Sequence, residues 1–577
     1  MTKNFSFSRS QIALLVILAG AVIVRIWGLD FGLPHPWARP DESRLVNMAI
    51  KFGQGDLNPP FFNYPTLYPY LLTLLFGLYY LVGRLFGTYG SVYDLVVEFA
   101  TEPTNFYLID RALSALTGVL TVLVLYHIGK RLLDRTTGLV ASLLTAFAYL
   151  HVRDSHFGVT DVPMTFLIML SVLFIVRAMQ TGRLKDYALA AITAGLAAST
   201  KYAGFMLLFP MFAAHIFVVK REHQAATKIA FDRRILAFGV LMLAAFFLGT
   251  PYALLEFPRF LTDLLSEARH LDSGHMGVIL DRGWWYHLSF SLYYGVGWPL
   301  LLAALAGIVL LAQSDFRKAV VLCIFPLLYY LWVGKGYTVF VRYIIPVIPF
   351  LCVLSAVTVT RLNRYIFDRR SSGIALTATV VLVAVVMTPS VYRLVRFNDL
   401  LTHTDSRLMA TDWITEHLPA ASSIYQVNSG GGALQLAPGQ YFLERYDRYE
   451  SLIADGYQSD RTRSTVTALV DSLKRAGTYR LWRFDGEKQQ FMFEGWVQDS
   501  LPEYIVTERV PLKHYDVTPG RISDLLEASY SLSHYTEAFD SSIGNAYDLQ
   551  DHFYLPFDGF DGVTRPGPNI FIYERVD

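Results

Sequence analysis

The chain has 577 residues, of which 53% are hydrophobic and 17% are charged, and its formal net charge is +1. Soluble domains carry about 25% charged residues, so this composition excludes an ordinary soluble protein and indicates several membrane crossings. The small net charge excludes a bulk attraction to nucleic acid. Cys323 and Cys352 both lie in apolar runs, which argues against a disulfide framework or a zinc site.

The first apolar run, residues 11–28, is long enough to cross a bilayer. Lys3 and Arg9 precede it, and no small-residue cleavage site follows it. These features predict a retained membrane helix with a cytoplasmic N-terminus, and not a signal peptide that is removed.

A short charged run follows the first helix: Arg39-Pro40-Asp41-Glu42-Ser43-Arg44. Two adjacent carboxylates and a guanidinium lie here in a loop rich in Trp, Pro and Tyr. This combination is more typical of a functional site than of a linker. A solvated loop with ordinary charges is the alternative that this run leaves open by itself.

Further apolar runs continue to about residue 391, and the run at 66–87 is ambiguous. If 66–87 does not cross, the basic clusters at 130–135, 220–234 and 361–370 all fall on one side of the membrane, as the positive-inside rule requires. We therefore predict that 66–87 is a surface or re-entrant segment and that the chain has about eleven spans.

After residue 391 the chain alternates polar and apolar residues. Segments 422–428, 478–484 and 569–576 are predicted strands, and 405–417 and 464–475 are predicted amphipathic helices. The predicted fold is a polytopic α-helical membrane protein with a C-terminal soluble α/β domain. Its predicted domains are a membrane domain at 1–391, with external loops 29–104 and 253–287, and an extracytoplasmic domain at 392–577.

This topology places several ionisable residues on the outer face, where charges at membrane depth are costly and therefore suggest function. Arg111 begins a span and has a plain alternative as an interfacial anchor. Lys201 lies between two apolar runs, so its charge requires a nearby anion. The candidates outside the acidic pair are Arg44, Tyr64, Arg111, His156, Asp161, Lys201, Arg342 and Tyr343.

Carboxylates beside cations at an apolar surface favour one type of chemistry. A carboxylate accepts a proton from an attacking hydroxyl or amine. Guanidinium and ammonium groups hold a phosphate and stabilise it as it leaves. A membrane location suits a lipid-linked phosphate, which is the donor used in glycosyl transfer from a polyprenyl-phosphate sugar.

The order of these motifs resembles the C-type, multi-spanning glycosyltransferases, especially the protein O-mannosyltransferases and the lipid A aminoarabinose transferase. The resemblance covers roughly residues 10–390. It rests on the Asp41-Glu42-x-Arg44 run, the stretch at 65–70, Asp161-Val-Pro163, Thr200-Lys201, and Arg342-Tyr343 before Pro346.

The resemblance implies an inverting enzyme in which Asp41 is the catalytic base and Glu42 its structural or acceptor-binding partner. It assigns the donor phosphate to Arg44, Lys201, Arg342 and Tyr343. It implies that the pocket is supported by Tyr64, Arg111, His156 and Asp161.

The implied donor is a polyprenyl-phosphate sugar, and the acceptor is a protein, a lipid or a glycan. No Asp-x-Asp motif occurs in the outer loops, so no cofactor is obligatory and a divalent metal is not expected. Membrane lipids are expected partners and nucleic acid is not; a prokaryotic plasma membrane is the expected location. A lipid or sugar transporter or flippase is the main alternative, and a receptor or scaffold is a third.

Overall fold

The computed structural model describes residues 8–367, 372–427, 431–446, 463–551 and 553–576. The chain forms two compact units. The first contains Met1–Leu29, Leu45–Thr73 and Asp110–Asn398, and the second contains Asp30–Arg44, Leu74–Ile109 and Asp399–Asp577. The predicted boundary after residue 391 therefore falls inside the helix Ser372–Leu401. Two pieces of the predicted external loop 29–104 belong to the second unit.

Helices build the first unit, and four of the described helices contain residues of both units. Short 3₁₀ segments, Tyr202–Leu207 and Val341–Val347, and a π-helical turn, His287–Leu292, interrupt them. The α-helices lie at Arg9–Ile26, Pro40–Gly53, Leu67–Leu85, Thr104–Leu132, Arg135–Ala146, Tyr149–Asp154, Asp161–Thr181, Leu184–Thr200, Leu208–Arg221, Lys228–Phe231, Arg233–Gly249, Tyr252–Leu255, Phe257–Ser273, Gly283–Tyr286, Tyr293–Val296, Trp298–Ser314, Phe316–Val333, Ile348–Phe367 and Ser372–Leu401.

Among the described residues, seven helical segments are long and apolar enough to cross a membrane, or eight if a pair bent by 108° at residues 283–314 forms one span. The seven are Arg9–Ile26, Thr104–Leu132, Asp161–Thr181, Tyr202–Arg221, Phe316–Val333, Val341–Ile366 and Gly373–His417. The protein is thus a helical membrane protein, but the expected eleven spans are not confirmed.

Helix length explains the difference. Leu184–Thr200 and Arg233–Gly249 each have 17 residues, which extend about 26 Å at 1.5 Å per residue, and Arg135–Ala146 has only 12. A bilayer core is about 30 Å thick. The segment at 66–87 forms the helix Leu67–Leu85, which is not among the seven, and its predicted position at the membrane surface stays a prediction.

Small residues allow the helices of the first unit to pack closely. Gly195 lies on Leu184–Thr200, and a Cβ atom there would come within 2.2 Å of the Met242 carbonyl oxygen and 2.7 Å of the Ala245 Cβ. Such contacts are typical of membrane helices, whose association depends on van der Waals packing and not on the hydrophobic effect.

The second unit contains a mixed sheet, whose seven strands in the described part of the chain are β1 (Ser423–Gln426), β2 (Arg480–Asp485), β3 (Gln490–Phe493), β4 (Trp496–Val497), β5 (Tyr504–Arg509), β6 (Tyr530–Thr536) and β7 (Asn569–Arg575). Their order in the sheet is β4-β3-β2-β1-β5-β7-β6. Strand β1 pairs in parallel with β2 and β5, and the other pairs are antiparallel.

Alternating residues of the central strands enter two cores of the second unit. Ile424 packs with Ile414, whereas the next residue, Tyr425, packs with Trp482. Among the described residues, the helices that lie wholly in this unit include Val92–Thr101, Ser406–His417, Arg463–Arg475 and Gly520–Ser529, with a 3₁₀ turn at Lys513–Tyr515. All three predicted strands and both predicted helices occur within about a residue or two of their predicted limits, although Asn428 lies outside the described residues. The expected C-terminal domain with helices and strands is confirmed.

We predict that Gly195→Leu destabilises the protein, because the side chain would collide with the backbone of the neighbouring helix. Overpacking of this kind costs about 1–3 kcal/mol. Thermal unfolding in detergent would measure it. Gly239→Leu is the matched control, since nothing lies within 4 Å of a Cβ at Gly239. Equal melting temperatures for the two variants would contradict the close packing.

Candidate active site

An ion pair at two helix ends forms the centre of the candidate site in the first unit. Asp161 is the first residue of Asp161–Thr181, where the helix dipole favours a carboxylate. Lys201 follows Leu184–Thr200 with an extended backbone. The Lys201 Nζ donates to Asp161 Oδ1 at 2.6 Å; the lysine side chain is 20% exposed and the carboxylate only 3%. The anion that Lys201 requires is therefore Asp161.

Tyr343 joins this pair from the 3₁₀ segment Val341–Val347. The Lys201 ammonium lies 5.0 Å from the centre of the Tyr343 ring, a distance at which a cation and an aromatic face attract. The Tyr329 hydroxyl donates to the Tyr343 carbonyl at 2.7 Å and so holds the backbone of this turn. Arg342, which precedes Tyr343, has its guanidinium carbon 4.3 Å from the Phe340 ring centre.

The structure brings together five of the predicted site residues. Tyr64, Asp161 and Arg342 all lie within electrostatic range of the Tyr343 hydroxyl, as does the unassigned Glu267. With Lys201, which contacts both Asp161 and Tyr343, they form a group of cations, carboxylates and phenols. We call Tyr64, Asp161, Lys201, Arg342 and Tyr343 the cation cluster.

The loop before Tyr64 is held by acidic residues of the helix Phe257–Ser273. The Phe62 backbone N–H donates to Asp263 at 2.8 Å, and the Asn63 side chain donates to Glu267 at 3.1 Å. Tyr202, next to Lys201, donates its hydroxyl to the Phe62 carbonyl at 2.6 Å. Sequence reasoning gave Asp263 and Glu267 no role, although their i, i+4 spacing on one helix is a signal that they act on one neighbour.

Arg111 and His156 bind the backbone just after the first helix. The Arg111 guanidinium donates to the Leu29 carbonyl at 2.9 Å, and His156 Nε2 lies 3.1 Å from the Trp27 carbonyl. Burial, reinforced by Arg25 and Arg111, lowers the pKa of His156 to about 4. The neutral ring carries one N–H. Two carbonyls compete for that N–H, since His156 Nδ1 lies 3.0 Å from the Val152 carbonyl, whereas Arg111 donates to the backbone just after the first helix.

The acidic pair belongs to the second unit and lies in the first turn of Pro40–Gly53. Proline suits the first helical position because its missing N–H costs no hydrogen bond there, and the helix dipole stabilises both carboxylates. Asp41 is half-buried, Glu42 is buried and Arg44 is exposed. The accessible Asp41 and the buried Glu42 suit the reactive and structural roles expected of them, which stay predictions.

No group of three or more His, Cys, Asp or Glu side chains among the described residues is arranged to hold a metal ion. The expectation that no metal is required stays a prediction.

A family model described as dolichyl-phosphate-mannose-protein mannosyltransferase matches residues 110–248. This range contains four of the predicted site residues: Arg111, His156, Asp161 and Lys201. No curated protein sequence matches the chain.

Solved structures of membrane glycosyltransferases resemble this chain, two of them over nearly its whole length. ArnT from Cupriavidus metallidurans, bound to undecaprenyl phosphate, is 13% identical, with 97% of each chain covered and a TM-score of 0.50. The apo oligosaccharyltransferase of Archaeoglobus fulgidus is 14% identical, with 99% of this chain and 89% of that chain covered and a TM-score of 0.47. The S. cerevisiae Pmt1-Pmt2 complex bound to its sugar donor is 17% identical over 47% of this chain and 35% of that chain, with a TM-score of 0.29.

The likeness to ArnT shows a shared fold at low sequence identity. The family model adds an independent match over the segment that carries Asp161 and Lys201. Together they confirm the resemblance to the C-type mannosyltransferases and ArnT that the motifs predicted, and they bear out the prediction of a glycosyltransferase.

Proposed function

We propose that this chain is an inverting glycosyltransferase that moves a monosaccharide from a polyprenyl-phosphate donor to an acceptor at the outer face of a membrane. The observation that carries the proposal is the Lys201–Asp161 pair beside Tyr343. The undecaprenyl phosphate bound to ArnT, a protein of like fold, supports the donor class.

The cation cluster suits a phosphate monoester bound to a lipid. An ammonium has three N–H donors, and the pair with Asp161 uses one of them. Asp161 thus directs Lys201 while donors remain for a phosphate. Arg342 adds a planar guanidinium that matches two phosphate oxygens. In this assignment Asp161 orients the lysine and the two cations bind the donor.

In the proposed reaction Asp41 takes the proton of an acceptor hydroxyl or amine as its oxygen or nitrogen bonds to the anomeric carbon. The bond from that carbon to the phosphate oxygen breaks on the opposite face, and the lipid phosphate leaves with the electron pair. Lys201 and Arg342 stabilise the charge that develops on the phosphate. The role of Asp41 is proposed from the sequence motif.

The leaving group carries a single phosphate, so two cations suffice to offset its charge, and we propose a reaction without an obligatory metal. The acceptor is proposed to be a protein, a lipid or a glycan. The basic clusters at 130–135, 220–234 and 361–370 support a topology in which the loops that carry them are cytoplasmic. The proposed setting is a prokaryotic plasma membrane with the N-terminus inside and the C-terminal domain outside.

We predict that Lys201→Ala and Arg342→Ala each weaken binding of undecaprenyl phosphate to the purified protein. A hydrogen bond to a charged group contributes about 1.5–3 kcal/mol, which corresponds to about a tenfold to hundredfold rise in Kd. Lys335→Ala is the matched control, because this exposed lysine pairs only loosely with Asp272, at 4.0 Å. Unchanged binding in both site variants would remove them from the phosphate site.

We predict that Asp41→Asn lowers sugar transfer by about 10²–10⁴-fold, the usual effect of removing a general base. Binding of undecaprenyl phosphate should remain. The measurement is transfer of radiolabelled sugar from a polyprenyl-phosphate donor in reconstituted vesicles. Asp30→Asn, which alters an exposed carboxylate of the same loop, is the control. Near-normal turnover of Asp41→Asn, with an inactive Glu42→Gln, would show that the other carboxylate is the base.

We predict that the C-terminal domain faces outward. In a background with Cys323→Ser and Cys352→Ser, the exposed positions Ser541→Cys and Lys228→Cys report on the two sides. In intact cells an impermeant thiol reagent should label position 541 alone, and after permeabilisation it should label both. The reverse pattern would overturn the proposed orientation.

A further inference from the structure

The segment before the acidic pair is bound by the C-terminal part of the second unit. We call residues 31–39 the anchor segment. At its end the Arg39 guanidinium donates two hydrogen bonds to the Asp551 carboxylate, at 2.7 and 2.8 Å. Arg39 is fully buried, and its guanidinium carbon lies 5.0 Å from the ring centre of Phe553. Pro40, Asp41 and Glu42 follow directly.

The middle of the anchor segment is held by a second set of contacts. The Trp37 N–H donates to His35 Nδ1 at 3.2 Å, so His35 Nε2 carries the proton and donates to the Ala433 carbonyl at 3.0 Å. Burial and the nearby Arg407 lower the pKa of His35 to about 3, which keeps this neutral tautomer at physiological pH. Arg407 donates to the Trp37 carbonyl at 3.1 Å.

The anchor segment also turns tightly within itself. Gly32 has a φ of +64°, in the left-handed region that favours glycine. A Cβ at this position would lie 2.8 Å from the Ala38 Cβ and 3.2 Å from Asp405 Oδ2. Phe31 contacts Phe553 edge-on, with ring centres 5.9 Å apart. Phe553 therefore contacts both ends of the anchor segment, Phe31 and Arg39.

The loop that carries Asp551 is itself supported. The Tyr515 hydroxyl donates to the Gln550 carbonyl at 3.1 Å, and His514 Nε2 lies 2.9 Å from the Leu549 carbonyl. The Gln550 N–H donates to Asp548 at 3.1 Å. The carboxylate that meets Arg39 thus projects from a loop whose backbone is fixed by the 3₁₀ turn Lys513–Tyr515.

We infer that Arg39 and Asp551 are positioning residues for the transfer reaction: the C-terminal domain fixes the helix start that presents Asp41 and Glu42. This inference rests on the proposed function. A bidentate pair fixes both distance and direction, and Arg39 is joined to the helix through Pro40, whose φ is restricted. The orientation imposed on Arg39 is therefore transmitted to the first helical turn.

The alternative is that the Arg39–Asp551 pair only stabilises the fold. The desolvation cost of a buried ion pair argues against this alternative. A buried ion pair loses much of its attraction to desolvation, so it is weak evidence for stability. Its geometric specificity is its clearer contribution. Removing one partner leaves an uncompensated buried charge, and we expect the anchor segment to shift in response.

The test uses the full-length protein with Asp551→Asn and Arg39→Lys. The lysine keeps the charge but loses the two-pronged geometry. Glu503→Gln is the matched control, because this carboxylate of the same unit accepts hydrogen bonds from Ser423. We expect both variants to lower kcat by about 10²-fold, the effect of a misplacement of about 1 Å, with the donor KM and undecaprenyl phosphate binding unchanged. The control should retain kcat.

Amide hydrogen exchange gives a readout that does not need activity. Residues 41–45 should exchange faster in Asp551→Asn and Arg39→Lys than in the unaltered protein, while β1 and β5 keep their protection. Normal kcat in both variants, or a fall in kcat with general loss of protection, would overturn the positioning role. If the unaltered protein transfers no sugar, the proposed function fails, and exchange at residues 41–45 then decides by itself whether Asp551 holds the helix start.

Discussion

The hydrogen bond from the Arg111 guanidinium to the Leu29 carbonyl fixes the point at which the chain leaves its first membrane helix. The last carbonyls of any helix lack partners within it, and in apolar surroundings such groups are costly. Arg111 donates to the Leu29 carbonyl, and His156 Nε2 lies 3.1 Å from the Trp27 carbonyl. The Arg111 contact therefore restrains the backbone of the helical unit at its last residue before the loop.

The candidate site shows how an apolar chain accommodates the charges that its chemistry requires. Lys201 receives a carboxylate at 2.6 Å and an aromatic face at 5.0 Å. Neither contact encloses the lysine, which stays partly exposed. Asp161 is buried at a helix N-terminus, where the dipole lowers the cost of its charge. A cation that is paired but accessible can bind a second anion, and this property separates a binding group from a structural one.

Several of these features could be predicted from the sequence because they depend on local rules. The alternation around Tyr425 predicted a strand, and a lone lysine between apolar runs predicted an anion near Lys201. Because the basic loops fall on one side of the membrane, the sequence predicted that Asp161 and Lys201 both lie on the opposite, outer side. Their direct contact could not be predicted, since it depends on how two helix ends meet.

Other features lack any local signal. Arg39 and Asp551 are 512 positions apart, and neither belongs to a periodic pattern that would pair them. Glu267 lies near the cation cluster on a helix that resembles an ordinary amphipathic surface segment. The predicted number of spans is not confirmed, because apolar length in the sequence does not show where a helix ends: Arg135–Ala146 has 12 residues within a longer apolar run.

The distance along the chain between Arg39 and Asp551 has a consequence for biosynthesis. At about 5–20 residues per second, a ribosome needs about 25–100 s to make the 512 positions that separate them. During that time the first helix and the helices that follow it enter the membrane, while the Asp551 carboxylate that pairs with Arg39 has not yet been made. The acidic pair therefore acquires its final orientation only after translation has passed strands β1 to β6, so the loop that carries it is among the last parts of the nascent chain to reach its final structure.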